Sequence, residues 1–316
     1  MEPDSREAPA DPADPTRPAS AARRPAADQP SGIACSVGAY LLWGLFPLYF
    51  KAVAFVPALE MLAHRIVWSL LFLGIVTTIH HDWGLISKAF RSPRLLATLM
   101  LSSCLVAVNW GVFIWAVAAG RVLESSLGYF ITPLLSVLLG VIVLSERLRP
   151  LQWAAVGLVI VAVAWQIVAL GTIPWVALLL ATSFSGYGFV RKMAAIGAMG
   201  GLTIEAILLT PLALAWLWLQ TAQGNGAFAA AGWQFDLLIA ASGPITALPL
   251  ILFVTGARRI RLTTVGLLQY VTPTCQFLIA VLVFDEPFDH AHLIVFLCIW
   301  MALALYTFDL IRRART

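Results

Sequence analysis

The sequence predicts an all-α protein that crosses a membrane many times, and three observations lead there. Of its 316 residues, 60% are hydrophobic and 11% charged, where a soluble domain carries about 25% charged residues. Runs of apolar residues recur from Ile33 onward, each close to the ~20 residues that a helix needs to cross a ~30 Å hydrocarbon layer. Finally, the stretch Arg121–Glu146 returns without a gap as Arg261–Glu286. Arg121 falls on Arg261, the pair Thr132-Pro133 on Thr272-Pro273, and Glu146 on Glu286. Apolar matches come cheaply in such a chain, but those residue types are scarce here. Helices are expected because lipid cannot satisfy open backbone groups, and a helix pairs them internally.

Residues 1–31 hold seven of the eighteen prolines, six acids and four arginines. Such a segment buries too little apolar surface to offset its ordering entropy, so it reads as a disordered tail. Ala52-Val53-Ala54 imitates a signal cleavage site, but the span before it is too long for a signal h-region. Ten spans are expected, at about 33–54, 60–79, 95–118, 123–145, 151–170, 173–192, 201–220, 235–256, 262–284 and 290–310. The connections are short, and the longest, His80–Arg94, is amphipathic.

Orientation follows from the bias of Lys and Arg toward cytoplasmic loops. With the N-terminus inside, 17 of the 20 basic residues fall on the inner side, leaving Lys51, Arg65 and Arg121. Both termini are therefore expected in the cytoplasm. The net charge of +4 is a topology signal and gives no reason to expect a nucleic-acid partner. Each repeat holds five spans, an odd number, so the second enters the membrane upside down. The expected layout is a tail (1–31), one five-helix repeat (32–170), its inverted copy (171–311) and a short basic tail (312–316). Inverted repeats suit a central site exposed to either side in turn.

At this point several motifs carry a family resemblance. They are A-Y-L-L-W-G-L-F-P-L-Y-F-K (39–51), E-M-L-A-H-R-I-V-W-S (60–69), N-W-G-V-F-I-W-A-V-A-A-G-R-V-L-E-S-S-L-G-Y-F-I-T-P-L (109–134) and S-E-R-L-R-P-L-Q-W (145–153). With G-Y-G-F-V-R-K (186–192) and Q-Y-V-T-P-T (269–274), they resemble the RarD proteins of the EamA branch of the drug/metabolite transporter superfamily. The likeness spans about 33–310, and the 109–134 block is specific. It implies a ten-helix inner-membrane carrier built from two EamA repeats. The family name carries an association with chloramphenicol sensitivity. The wider superfamily includes exporters of amino acids, metabolites and drugs.

Ionisable groups inside spans cost roughly 2.5–3.5 kcal/mol each on insertion scales, so each one asks for a reason. Glu60 and His64 stand one turn apart on one face, where they could relay a proton or hold an ionised solute. Glu60 alone could instead answer its helix dipole. Arg65 points to a different neighbour. Glu205, placed in the first turn of span seven, is the counterpart of Glu60 at the opposite face, and the two could mark matched entrances. Trp43 and Tyr187 fall mid-span in corresponding helices, each followed by a glycine; core packing competes with a pocket wall lined by rings. Asn109 and Gln269 suit interhelical hydrogen bonds or the pathway, and Tyr270 joins the aromatic set. Pro133 and Pro273 each remove a helical hydrogen bond and could serve as hinges or static kinks.

No H-E-x-x-H, G-x-S-x-G or phosphate loop occurs. The four cysteines are scattered, so no metal, cofactor or disulfide framework is expected. The reading is a secondary transporter, more an exporter than an importer, of a small organic solute in the cytoplasmic membrane, with protons as a candidate coupling partner. A channel-like facilitator and an intramembrane enzyme remain as alternatives. The oligomeric state is not legible.

Overall fold

The computed structural model describes residues 29–144, 149–230, 232–257, 259–260, 264–265 and 268–315. The expected tail lies outside them up to residue 28, as do Glu146 and Arg261 of the repeat motif. No β-strand occurs among the described residues.

The helices are α1 (Pro30–Gly44), α2 (Phe46–Ala52), α3 (Ala58–Ile79), α4 (Trp83–Phe90), α5 (Pro93–Ala118), α6 (Val122–Leu144) and α7 (Pro150–Leu170). They continue as α8 (Trp175–Met193), α9 (Ala198–Ala222), α10 (Trp233–Ala240), α11 (Ser242–Ala257), α12 (Val271–Leu282) and α13 (His290–Arg315). Among the described residues, seven stretches are long and apolar enough to cross a membrane: Pro30–Ala52, Ala58–Ile79, Pro93–Ala118, Pro150–Ala169, Met199–Ala222, Trp233–Ala257 and His290–Asp309. The other three expected spans carry α6, α8 and the shorter apolar α12. The outward faces stay greasy: Val168 is 81% exposed, Trp218 74% and Leu212 73%. In water such surface would aggregate, whereas lipid covers it at no cost.

Local chemistry explains the breaks. Pro30 and Pro93 open their helices where a missing N–H costs nothing, and Ser92 Oγ accepts from Leu95 N–H as the cap of α5. The first span breaks at Leu45 because Pro47 has no N–H for the carbonyl of Trp43. That carbonyl accepts from Gln276 Nε2 instead, at 3.4 Å, so a helix defect becomes an interhelical tie. The amphipathic connection after the second span folds as α4, resting Ile86 and Ala89 on the bundle.

Two pairings differ from expectation. Span seven is expected from about residue 201, but α9 begins at Ala198. Glu205 therefore sits in the third turn, beyond the reach of a dipole explanation. Pro133 lies inside α6, while Pro273 lies in the first turn of α12, after a turn at Gln269-Tyr270. The two prolines thus occupy unlike helical positions.

The main core joins α2, α5, α6, α8, α12 and α13 through Phe50, Phe113, Phe130, Leu180, Ala280, Phe296 and Ile299. Close approach depends on glycine at two places. A Cβ on Gly44 would stand 2.6 Å from Cys275 Cβ, between α1 and α12. One on Gly128 would stand 2.7 Å from the Ala177 carbonyl, between α6 and α8.

Candidate functional site

The candidate residues separate into three groups along the seam between α3, α5 and α9. At one end, Glu60 is 1% exposed in the first turn of α3. Its Oε1 accepts from the Ala227 N–H at 2.6 Å, which ties α3 to the connection between α9 and α10. His64 Nε2 lies 3.8 Å from the same oxygen, and its ring centroid is 5.3 Å from that of Phe228. Neither Glu60 Oε2 nor His64 Nε2 has a hydrogen-bond partner among the described residues. Trp68 closes the group against Phe228 at 6.0 Å. The one-turn spacing puts Glu60 and His64 on one face, as expected.

One residue further on, Arg65 turns toward the bundle centre. Its guanidinium sits 4.1 Å from the Trp110 ring centroid, 5.3 Å from Phe50 and 5.5 Å from Phe46. Nε donates to Thr246 Oγ1 of α11 at 2.8 Å. No carboxylate among the described residues lies within ion-pair distance of this 3% exposed cation. Beside it, Asn109 is fully engaged. Its Nδ2 donates to the Leu180 carbonyl and to Ser183 Oγ, both at 3.1 Å, and its Oδ1 accepts from the Tyr129 hydroxyl at 3.1 Å. That is interhelical glue between α5, α6 and α8.

The third group surrounds Glu205, also 1% exposed. Ser102 Oγ donates to Oε1 at 2.5 Å, the Tyr187 hydroxyl donates to Oε2 at 3.2 Å, and Arg191 Nε stands 3.5 Å from Oε1. A small, water-sized void is lined by Ile66, Ser69, Leu73, Trp110, Leu202 and Glu205, among others, so Trp110 and this carboxylate face one space. Thr77 of α3 meets Thr203 of α9 at 3.5 Å, near Glu205. Helical rise puts about 25 Å between Glu60 and Thr77, so the two glutamates stand at opposite ends of the α3–α9 pair.

Other candidates lie apart. Trp43 packs with Tyr40 and Phe253, each at 5.7 Å. Tyr270 and Gln269 turn toward each other and toward Thr307 of α13. Glu124 holds Arg121 at 2.5 Å and accepts from Val176 N–H. Glu286 is a residue whose task was not visible in the sequence. Its two oxygens accept from Val122 N–H at 2.6 Å and Leu123 N–H at 2.7 Å, capping α6 from the far side of the repeat. Burial raises its pKa, and those two N–H groups pull against the rise. Arg191 and Ser102 were likewise missed, since only the depth of Glu205 reveals them. Among the described residues no cluster of metal-ligating side chains occurs.

Among the described residues, an all-helical bundle with seven lipid-compatible stretches fits the class of multi-pass membrane proteins, and the comparisons give that class its role. Residues 30–168 match the EamA-like transporter family. An uncharacterised transporter of Pseudomonas aeruginosa is 44% identical, covering 90% of this chain and 95% of that protein. Protein RarD of Streptomyces exfoliatus is also 44% identical, covering 91% of each. A solved crystal structure shares the fold at a TM-score of 0.54 and 21% identity, over 87% of this chain and 96% of the other. The chain belongs to the RarD family, in the EamA branch of the drug/metabolite transporters. It is a multi-pass protein of the cytoplasmic membrane that carries a small molecule across the lipid, and not an enzyme.

Proposed function

We propose that this transporter exports a small organic solute by alternating access between two inverted five-helix halves, 32–170 and 171–311, with both termini in the cytoplasm. The observation that carries the reading is the pattern of packing. If span six copies span one, seven copies two and so on, α9 is the counterpart of α3, α13 of α7 and α12 of α6. Each of these pairs is in contact. The remaining contacts return in exchanged form: α6 on α8 is answered by α12 on α1, and α5 on α8 by α11 on α1. Such reciprocity follows from a two-fold relation between the halves, and a two-fold relation lets one pathway open to either side.

In this reading the solute passes along the α3–α9 seam, between the Glu60–His64 group outside and the Glu205–Tyr187 group inside. Arg65, Trp110 and Asn109 line the middle. Pro133 gives the helix of the fourth span its freedom to bend. In the ninth span the hinge is the turn at Gln269-Tyr270, after which Pro273 stands in the first turn of α12. Trp43, Gln269 and Tyr270 border the α1–α12 side, where the same motion slides helices past each other. The driving force is the solute's own gradient or the proton gradient acting through Glu60 and His64.

The test begins with an untargeted comparison of metabolites outside cells with and without the protein. The solute found there is then followed in reconstituted vesicles. A carrier shows saturable flux that accelerates when the solute is present on the far side, and an imposed pH step separates proton coupling from simple exchange. Linear flux without trans-stimulation, as in a channel-like facilitator, contradicts the reading. So does a solute that leaves chemically changed.

A further inference from the structure

We infer that Arg65 is the recognition point for a carboxylate on the transported solute, so that the natural substrate is a small organic acid with an apolar body. This rests on the carrier reading above and deepens it.

The argument starts from charge. An arginine in the middle of a membrane protein costs several kcal/mol unless an anion or a water-filled path compensates it. Here the compensation is incomplete. Trp110 lies under the guanidinium face at 4.1 Å, and such a cation–π contact is worth about 2 kcal/mol when water is excluded. Thr246 accepts from Nε. No carboxylate among the described residues reaches it, and the titratable groups that face it, Tyr129 and Tyr49, are neutral phenols. The half-buried arginine of the seam, Arg191, has Glu205 beside it. The contrast singles out Arg65 as a cation without a counter-ion among the described residues.

Geometry then names the ligand. With Nε committed to Thr246, the two terminal nitrogens present a planar edge that fits the two oxygens of a carboxylate. One positive charge balances a monoanion, whereas a phosphate dianion would leave a net charge buried. The surrounding rings of Phe46, Phe50 and Trp110 favour an apolar or aromatic remainder. A small void shared by Trp110 and Glu205 lies beside this site, and parting of α3 from α9 gives such a molecule its way in.

The test is thermal stability of the detergent-purified full chain, with four probes matched in size: phenylacetate, phenyl phosphate, benzylamine and benzyl alcohol. Phenylacetate is expected to stabilise the parent protein saturably and more than the other three. Arg65→Gln is expected to weaken that response at least about tenfold, and Arg65→Lys to retain part of it. Without ligand, Arg65→Gln is expected to melt no lower than the parent, because it removes an uncompensated charge; a merely structural arginine would melt lower. The inference is overturned if no carboxylate stabilises the protein, if the phosphate, amine or alcohol is preferred, or if Arg65→Gln responds as the parent does. Trp110→Leu gives a second reading should Arg65→Gln not fold, and an unchanged phenylacetate response in it overturns the inference equally. Stabilisation without counterflow sinks the carrier reading and spares the site. Counterflow of amines or neutral solutes alone does the reverse.

Discussion

The Tyr187 hydroxyl donates to Glu205 Oε2 across 3.2 Å, joining α8 to α9 inside the bundle. Ser102 and Arg191 occupy the other oxygen, so three helices meet on one carboxylate. Hydrogen bonds to a charged group contribute about 1.5–3 kcal/mol each. Glu205→Gln is therefore expected to slow flux about ten- to a hundredfold from the side on which this group opens, and less from the other. Glu60→Gln should reverse the asymmetry. Fluxes in vesicles loaded from either side measure both, and parent-like, equal fluxes in the two variants would remove these residues from the pathway.

The Glu60 carboxylate also holds the α9–α10 connection through the Ala227 N–H. Glu60→Ala removes the acceptor and leaves a buried donor unpaired, at a cost of about 1–3 kcal/mol. Hydrogen exchange at the Ala227 amide should accelerate about five- to a hundredfold, with little change in α5. Unaltered exchange at Ala227 contradicts the tie.

Gly128 faces the backbone of α8, and Ala177 O cannot swing away as a side-chain tip could. Gly128→Ala is expected to destabilise the bundle by about 1–3 kcal/mol through overpacking, read as a lower melting temperature in detergent. Gly188, whose surroundings are open, should accept alanine without loss. A parent-like melt for Gly128→Ala is the adverse result.

Much of the fold was legible because bilayer physics is coarse: an apolar run of sufficient length is a helix wherever it falls. Direction around the helix axis was harder. A span is apolar toward lipid and toward protein alike, so periodicity does not say which neighbour Arg65 meets. The spacing of Glu60 and His64 was enough to pair them, while Trp110, five helical turns into a separate span, could be matched to Arg65 only in three dimensions. The depth of Glu205 was misjudged because the apolar run of span seven sets in at about residue 201, whereas α9 begins at Ala198. The unlike settings of Pro133 and Pro273 were hidden for the opposite reason. Matching sequence suggested matching geometry, but α12 starts only at Val271.

Glu286 links stability to pH. Its folded pKa is raised by burial, with Glu124 adding to the rise and Lys51, Val122 N–H and Leu123 N–H opposing it. A raised carboxylate means that the folded state holds the proton more tightly than the unfolded one. Its contribution is thus largest below the ordinary carboxylate range and is lost as pH rises through the folded value. Asp289 runs the other way. Hydrogen bonds from His292 lower its pKa, so its contribution disappears only as pH falls below the usual aspartate range. As pH rises from the ordinary carboxylate range through the raised folded value, the parent should lose stability relative to Glu286→Gln. Parallel melting profiles for the two proteins would contradict this assignment.

The central claim is that the second half is the first turned over, and membrane-impermeant maleimide labelling in intact cells tests it most directly. Lys88, between the second and third spans, and Asn225, between the seventh and eighth, are both exposed and occupy equivalent connections of the two halves. In a background with Cys35, Cys104, Cys275 and Cys298 replaced, Asn225→Cys should label in intact cells, and Lys88→Cys only after permeabilisation. Labelling of both positions from the same side would contradict the inverted architecture and the alternating pathway built on it.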